Sequence, residues 1–188
     1  PYFLYPGMKL KDSVKQSAKI GQIKNLKMVI TKPLCYHTII TDVVIDRIHQ
    51  LKSEQKIQFS NSECDILLIG HGSSDKSARD AFIFTVNTLK PFYRNVNFCF
   101  LELDKPDIKE GISNMILQND PKIILLVPYF LHKGTHIKHD VIVDINAALG
   151  KYNFKNVFMT KHLGVDEKLV DVIVERVREV EKRRIDLL

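Results

Sequence analysis

"CDILLIGHGSSDKSARDAF", residues 64–82, places an almost uninterrupted apolar run ahead of a glycine-flanked histidine, followed by residues with helical spacing of apolar positions. A short apolar run closed by glycine reads as a strand buried on both faces, and the turn and helix after it read as the start of a crossover. The pattern recurs downstream. "NVNFCFLEL" (95–103), "KIILLVPYF" (122–130) and "NVFMT" (156–160) read as strands. Residues 77–90, 106–118, 138–149 and 166–183 have helical periodicity, as Leu169, Val172, Ile173 and Val177 show in the last. Strand and helix alternate, so the expected class is α/β: a parallel sheet flanked by helices and built from right-handed βαβ crossovers.

Part of this pattern occurs twice. "PYFLYPGMKLKDSV" (1–14) matches "PYFLHKGTHIKHDV" (128–141) without a gap at seven of fourteen positions. After a two-residue slip, "TKPLCYHTIITDVVIDRI" (31–48) matches "TKHLGVDEKLVDVIVERV" (160–177), keeping Asp42 with Asp171 and Arg47 with Arg176. The expected organisation is therefore two tandem homologous units, with residues 1–57 a partial first repeat and 58–188 a complete second one. The first repeat is expected to supply a helix, a strand and a helix of a second layer. The polar stretch "HQLKSEQKIQFS" (49–60) reads as the linker between the two.

The balance of 45% hydrophobic and 27% charged residues over 188 suits one sizeable core. No apolar run approaches the roughly 20 residues that cross a bilayer, so a cytoplasmic protein without membrane contact is expected. Cys35, Cys64 and Cys99 are few and far apart, and read as buried thiols. The net charge of +6 favours an anionic partner. Nucleic acid is not expected, because the basic residues lack aromatic interleaving or a helix-turn-helix pattern.

In open α/β sheets ligands bind beyond the carboxyl ends of the strands. His71 follows the first strand of the complete repeat, Glu102 ends the second, and His136 follows the third, one βα unit apart each time. Two imidazoles and a carboxylate on one edge suit a divalent first-row ion, with positions left for a substrate. Gly70 and Gly72 would permit a close backbone approach to a ligand. Glu102, read as interrupting an apolar strand, needs a partner there. A rival set is His132, His136 and His139, which on a helix would share a face and hold zinc. The His-Gly pair also fits phosphoryl-transfer histidines, but Gly70 stands where those need arginine.

"LLIGHGSSDKSARDAF", "FLELDKPDIKEGI" and "LLVPYFLHKGTHIKHDV", in this order and spacing, resemble the sirohydrochlorin chelatase family, the CbiX and SirB group. The resemblance covers roughly residues 61–188, and the first repeat matches the other half of the long, two-domain members. It implies a pair of flavodoxin-like chelatase domains with the active site between them. It also implies insertion of Fe²⁺, or alternatively Co²⁺, into sirohydrochlorin, the metal being a substrate and no organic cofactor being needed. His71, His136 and Glu102 then become metal-holding and catalytic. Ser73, Ser74, Lys76, Arg79, Lys133, Lys138 and Lys9 become candidate contacts for the macrocycle's carboxylates. Lys9 stands where the second copy has His136, a departure that bears on the number of active sites. A monomer with two pseudo-symmetric domains or a homodimer fits either way. The readings from other classes are a non-catalytic tetrapyrrole or metal carrier and an interaction module with incidental histidines.

Overall fold

In the computed structural model, residues 4, 8–24, 29–132, 135–152, 154 and 156–185 are described, with the backbone alone for 8–10, 135–140 and 183–185. Two helices come first, α1 (Met8–Ile23) and α2 (Thr38–Glu54). Four βα units follow: β1 (Cys64–Gly70) with α3 (Lys76–Leu89), β2 (Asn95–Phe100) with α4 (Ile108–Asn119), β3 (Ile123–Pro128) with α5 (Thr135–Leu149), and β4 (Val157–Met159) with α6 (Glu167–Ile185). The sheet is wholly parallel, ordered β2-β1-β3-β4. The chain leaves β1 toward β2 and then returns past it to β3. This creates a topological switch point beside β1, where ligand sites form in such sheets.

Every residue of β1 and β3 is buried, as expected for strands covered on both faces. The alternation of side chains along a strand sorts them into two layers. Ile66, Leu68, Leu125 and Val127 face α2, α3 and α6, packing with Val43, Val44, Phe82 and Val172. Leu67, Ile69, Ile124 and Leu126 face α4 and α5, packing with Ile112, Met115 and Ile145. Asp65 is fully buried, and its carboxylate accepts from Arg94 at 3.3 Å and Asn95 at 3.1 Å. A buried carboxylate needs such partners. Cys35, Cys64 and Cys99 are free and buried, and burial pushes Cys35 up to about 11 and raises Cys64 and Cys99 as well.

Three expectations need correction. The strand expected to continue to residue 103 stops at Phe100, because its partner β1 ends at Gly70 and the register pairs those two residues. The "linker" from residue 49 is helical as far as Glu54, and its Leu51 is only 4% exposed, held in the core with Ile48. Among the described residues the first repeat contributes neither a strand nor a layer of its own; residues 25–28, between its two helices, lie outside them. Its helix α2 lies on the sheet of the second repeat, touching α3, α6 and β3. A strand exists only where a neighbouring ladder pairs its backbone groups, and a helix needs only an apolar surface to cover.

The matched sequence segments also take matched places in the fold. α1 and α5 begin at matched positions, Met8 and Thr135, and so do α2 and α6, at Thr38 and Glu167. Leu4 and its counterpart Leu131 share one core cluster. Arg47 donates to the carbonyls of His162 and Leu163 in the loop before α6. Its counterpart Arg176 donates to those of Pro33 and Cys35 in the matched loop before α2. Each copy's arginine thus satisfies the other copy's backbone.

Candidate metal and tetrapyrrole site

Parallel strands put all their carboxyl ends at one edge, so the residues that follow them meet by topology alone. His71 leaves β1 and Glu102 lies two residues past β2. The ladder runs briefly on: Leu101 N–H donates to Gly70 O and Glu102 N–H to His71 O, each at 3.0 Å. The side chains then meet, His71 Nε2 standing 3.3 Å from Glu102 Oε1. Both groups are open to solvent, 40% and 58% exposed. Glu102 therefore does not interrupt a buried strand, and its imidazole partner sits at the open edge.

Each glycine also has a reason within the fold. Gly72 has φ +92, a region that L side chains rarely adopt, and a Cβ there would stand 1.7 Å from the Glu102 carbonyl oxygen. The close backbone approach is to the Glu102 loop itself. At Gly70 a Cβ would press on Phe82 and Phe100 at 3.0 to 3.2 Å, so that glycine makes room for the aromatic cluster beneath the site.

The turn after His71 is built by side-chain hydrogen bonds. Asp75 N–H donates to Ser73 Oγ at 3.1 Å, and Asp75 caps α3 by accepting from Ser77 N–H at 3.0 Å. Lys11 of α1 reaches Asp75 at 2.7 Å. With the Ser77 bonds it holds the Asp75 carboxyl well below the ordinary range, at about 2. Ser74 is exposed, and Lys76 is exposed beside Asp80 at 3.1 Å. The guanidinium of Arg79 is ion-paired with Asp104.

Lys133 lies outside the described residues. For His136, Lys138 and Lys9 the backbone alone is described: His136 and Lys138 fall in the first turn of α5, and Lys9 in the first turn of α1. His132 precedes α5 and is exposed, so the three rival histidines do not share one helix. The side chains of His136 and His139 lie outside the described residues. Among the described residues no three His, Cys, Asp or Glu side chains gather as a metal site. The Lys11–Asp75 and Arg79–Asp104 pairs were missed from sequence. Asp104 had one weak signal there, a second carboxylate two residues beyond Glu102.

Fold and site together define a doubly wound α/β protein with a His–Glu pair at its switch-point edge. A family model described as CbiX matches residues 65–180, and the chain belongs to that family. A sirohydrochlorin cobaltochelatase of Sulfurisphaera tokodaii is 30% identical over 115 residues, 61% of this chain and 92% of that protein. A sirohydrochlorin ferrochelatase of Priestia megaterium is 33% identical over 119 residues, again 61% of this chain but 43% of that one. Among solved structures, SirB from Bacillus subtilis with Fe³⁺ superposes with a TM-score of 0.77 at 21% identity, covering 95% of this chain and 69% of that one. That likeness is one of fold. At 95% coverage it takes in most of the stretch ahead of residue 65. Among the described residues no helix is long and apolar enough to cross a membrane.

Proposed function

We propose that this chain is a sirohydrochlorin chelatase that exchanges the two pyrrole N–H protons of the macrocycle for one divalent metal ion. The carrying observation is the His71 Nε2 to Glu102 Oε1 distance of 3.3 Å at the open edge of the switch point. Imidazole and carboxylate together suit a borderline ion such as Fe²⁺ or Co²⁺. His136, at the second position of α5 beyond β3, is the third ligand in this reading. As the ion passes to the pyrrole nitrogens, each imidazole nitrogen that releases it regains a lone pair and accepts a departing proton. Glu102, exposed to solvent, passes protons to water. Fe²⁺ is the first metal to test, with Co²⁺ on an equal footing because the named relatives include both activities.

The macrocycle's carboxylates give the net charge of +6 a partner. Ser73 accepts one bond through Oγ and retains its own O–H to donate. Ser74 and Lys76 are open on the same turn, and a solvated pair such as Lys76–Asp80 yields to a competing carboxylate at little cost, roughly 0.5 kcal/mol. Lys133, Lys138 and Lys9 complete the proposed set. In the same reading residues 1–57 and 58–188 are the two copies, the second carrying the site, as the matched helix starts support.

The test mixes protein, sirohydrochlorin and Fe²⁺ or Co²⁺ without oxygen and follows the absorbance change. Insertion should outrun the uncatalysed rate and fall at least about a hundredfold in His71→Ala, the usual scale for loss of an acid–base or metal-holding group. Tight binding without turnover would make the protein a carrier. Lys9→Ala should weaken sirohydrochlorin binding and spare Co²⁺ affinity.

A further inference from the structure

We infer that Arg79 and Asp104 form a clamp that positions Glu102 against His71, and that Arg79 is not a ligand for substrate carboxylates. The inference rests on reading His71 and Glu102 as metal ligands. Those two groups come from separate segments, the turn before α3 and the loop after β2, so something must fix their separation. Two backbone contacts do part of it, the Glu102 N–H to His71 O bond and the seat of Gly72 against the Glu102 carbonyl. The next residue, Leu103, sits at φ +62 with its side chain 68% exposed. A non-glycine residue there is held in an unfavourable backbone region with little packing of its own, so the loop needs an anchor beyond it.

Asp104 is that anchor. Its carboxylate is only 12% exposed, is ion-paired with Arg79 and accepts from Lys105 N–H at 2.8 Å. Arg79 comes from the opening of α3, the helix that continues the His71 turn, and its guanidinium carbon lies 5.5 Å over the ring of Phe100, the last residue of β2. The clamp therefore ties the segment behind His71 to the segment beyond Glu102. Contrast Lys76, whose side chain is 87% exposed beside a half-exposed Asp80. Lys76 can turn to a ligand freely. Arg79 could do so only by abandoning a nearly buried carboxylate and an aromatic face.

The test compares Arg79→Gln, Asp104→Asn and Arg79→Lys with the wild-type chain. Its readouts are Co²⁺ alone titrated by its visible absorption, kcat and KM for sirohydrochlorin, and hydrogen exchange at the Glu102 amide. Losing a charge-assisted contact of this kind should weaken Co²⁺ binding and lower kcat about tenfold in the Gln and Asn variants, with KM within about twofold. Exchange at the Glu102 amide should quicken about tenfold while β1 amides keep their wild-type rates, and Arg79→Lys should recover most of each effect. Wild-type Co²⁺ affinity with a KM raised about tenfold in Arg79→Gln would overturn the clamp and return Arg79 to carboxylate binding. So would an unchanged Glu102 amide in both variants. If wild-type Co²⁺ binding proves indifferent to His71→Ala, the metal-site reading fails, and the amide exchange still decides the clamp.

Discussion

The two copies of the duplicated segment agree in their arginines and differ in their helices. Arg47 and Arg176 reach across to matched loops in the same manner. α2 buries Ile40, Val43, Val44 and Ile48 completely, or nearly so. At the matched positions of α6, Leu169 and Val172 are buried, but Ile173 and Val177 are 38% and 44% exposed. The apolar spacing is the same in both, and the neighbours differ. α2 lies on the sheet beside α3 and α6, whereas α6 presents only part of its stripe to that core. An apolar stripe specifies which face of a helix seeks cover, and topology specifies how much cover it finds.

The largest expected effect breaks this comparison at one matched pair. Ile48→Ala should cost about 2 to 5 kcal/mol, because the methylenes leave a cavity in a packed core. Its counterpart Val177→Ala should cost about 0.5 kcal/mol, as at an open surface. Urea denaturation of the two variants checks it; equal losses would mean that α6 is covered in solution. The arginines should behave alike instead. Arg47→Ala and Arg176→Ala each strand carbonyls in a loop of the other copy, and each should cost about 2 kcal/mol. A loss confined to one would show that the exchange is symmetric in geometry alone.

A further variant tests the sheet on which α2 rests. Arg94→Ala leaves Asp65 buried with Asn95 as its remaining side-chain partner, and should cost about 3 kcal/mol, the range for an uncompensated buried charge. Since Arg94 is itself 35% exposed, water reaching the vacated space should hold the loss below that of a fully enclosed pair, and below the upper range for Ile48→Ala.

The sheet was legible because β1 and β3 are buried from end to end, so their runs admit no helical pattern. That His71 and Glu102 would share one edge was legible for a related reason: each follows a strand, and parallel strands gather their ends. What escaped the sequence depended on neighbours. The polar residues around Leu51 resemble a linker until α2 is seen to press that leucine into the core. That Arg79 has a carboxylate partner of its own was hidden because Asp104 lies 25 residues away and is brought near only by the register of β1 with β2.

The smallest expected effect concerns the ion pair by which Lys11 of α1 reaches the His71 turn. Lys11 and Ser77 hold the Asp75 carboxyl at about 2, below the ordinary value near 3.9. A carboxyl lowered on folding contributes stability that is fully present above its unfolded value and is lost as pH falls through its folded value. Asp75→Asn keeps a good helix cap and removes the charge. The thermal midpoints of wild type and variant should therefore differ by a constant amount above about pH 5 and converge as pH falls toward about 2. Lys11 is 60% exposed, so salt should shrink the same difference at neutral pH. A difference that ignores both pH and salt would leave the cap at work without the ion pair, and α1 would then owe its place beside the turn to packing alone.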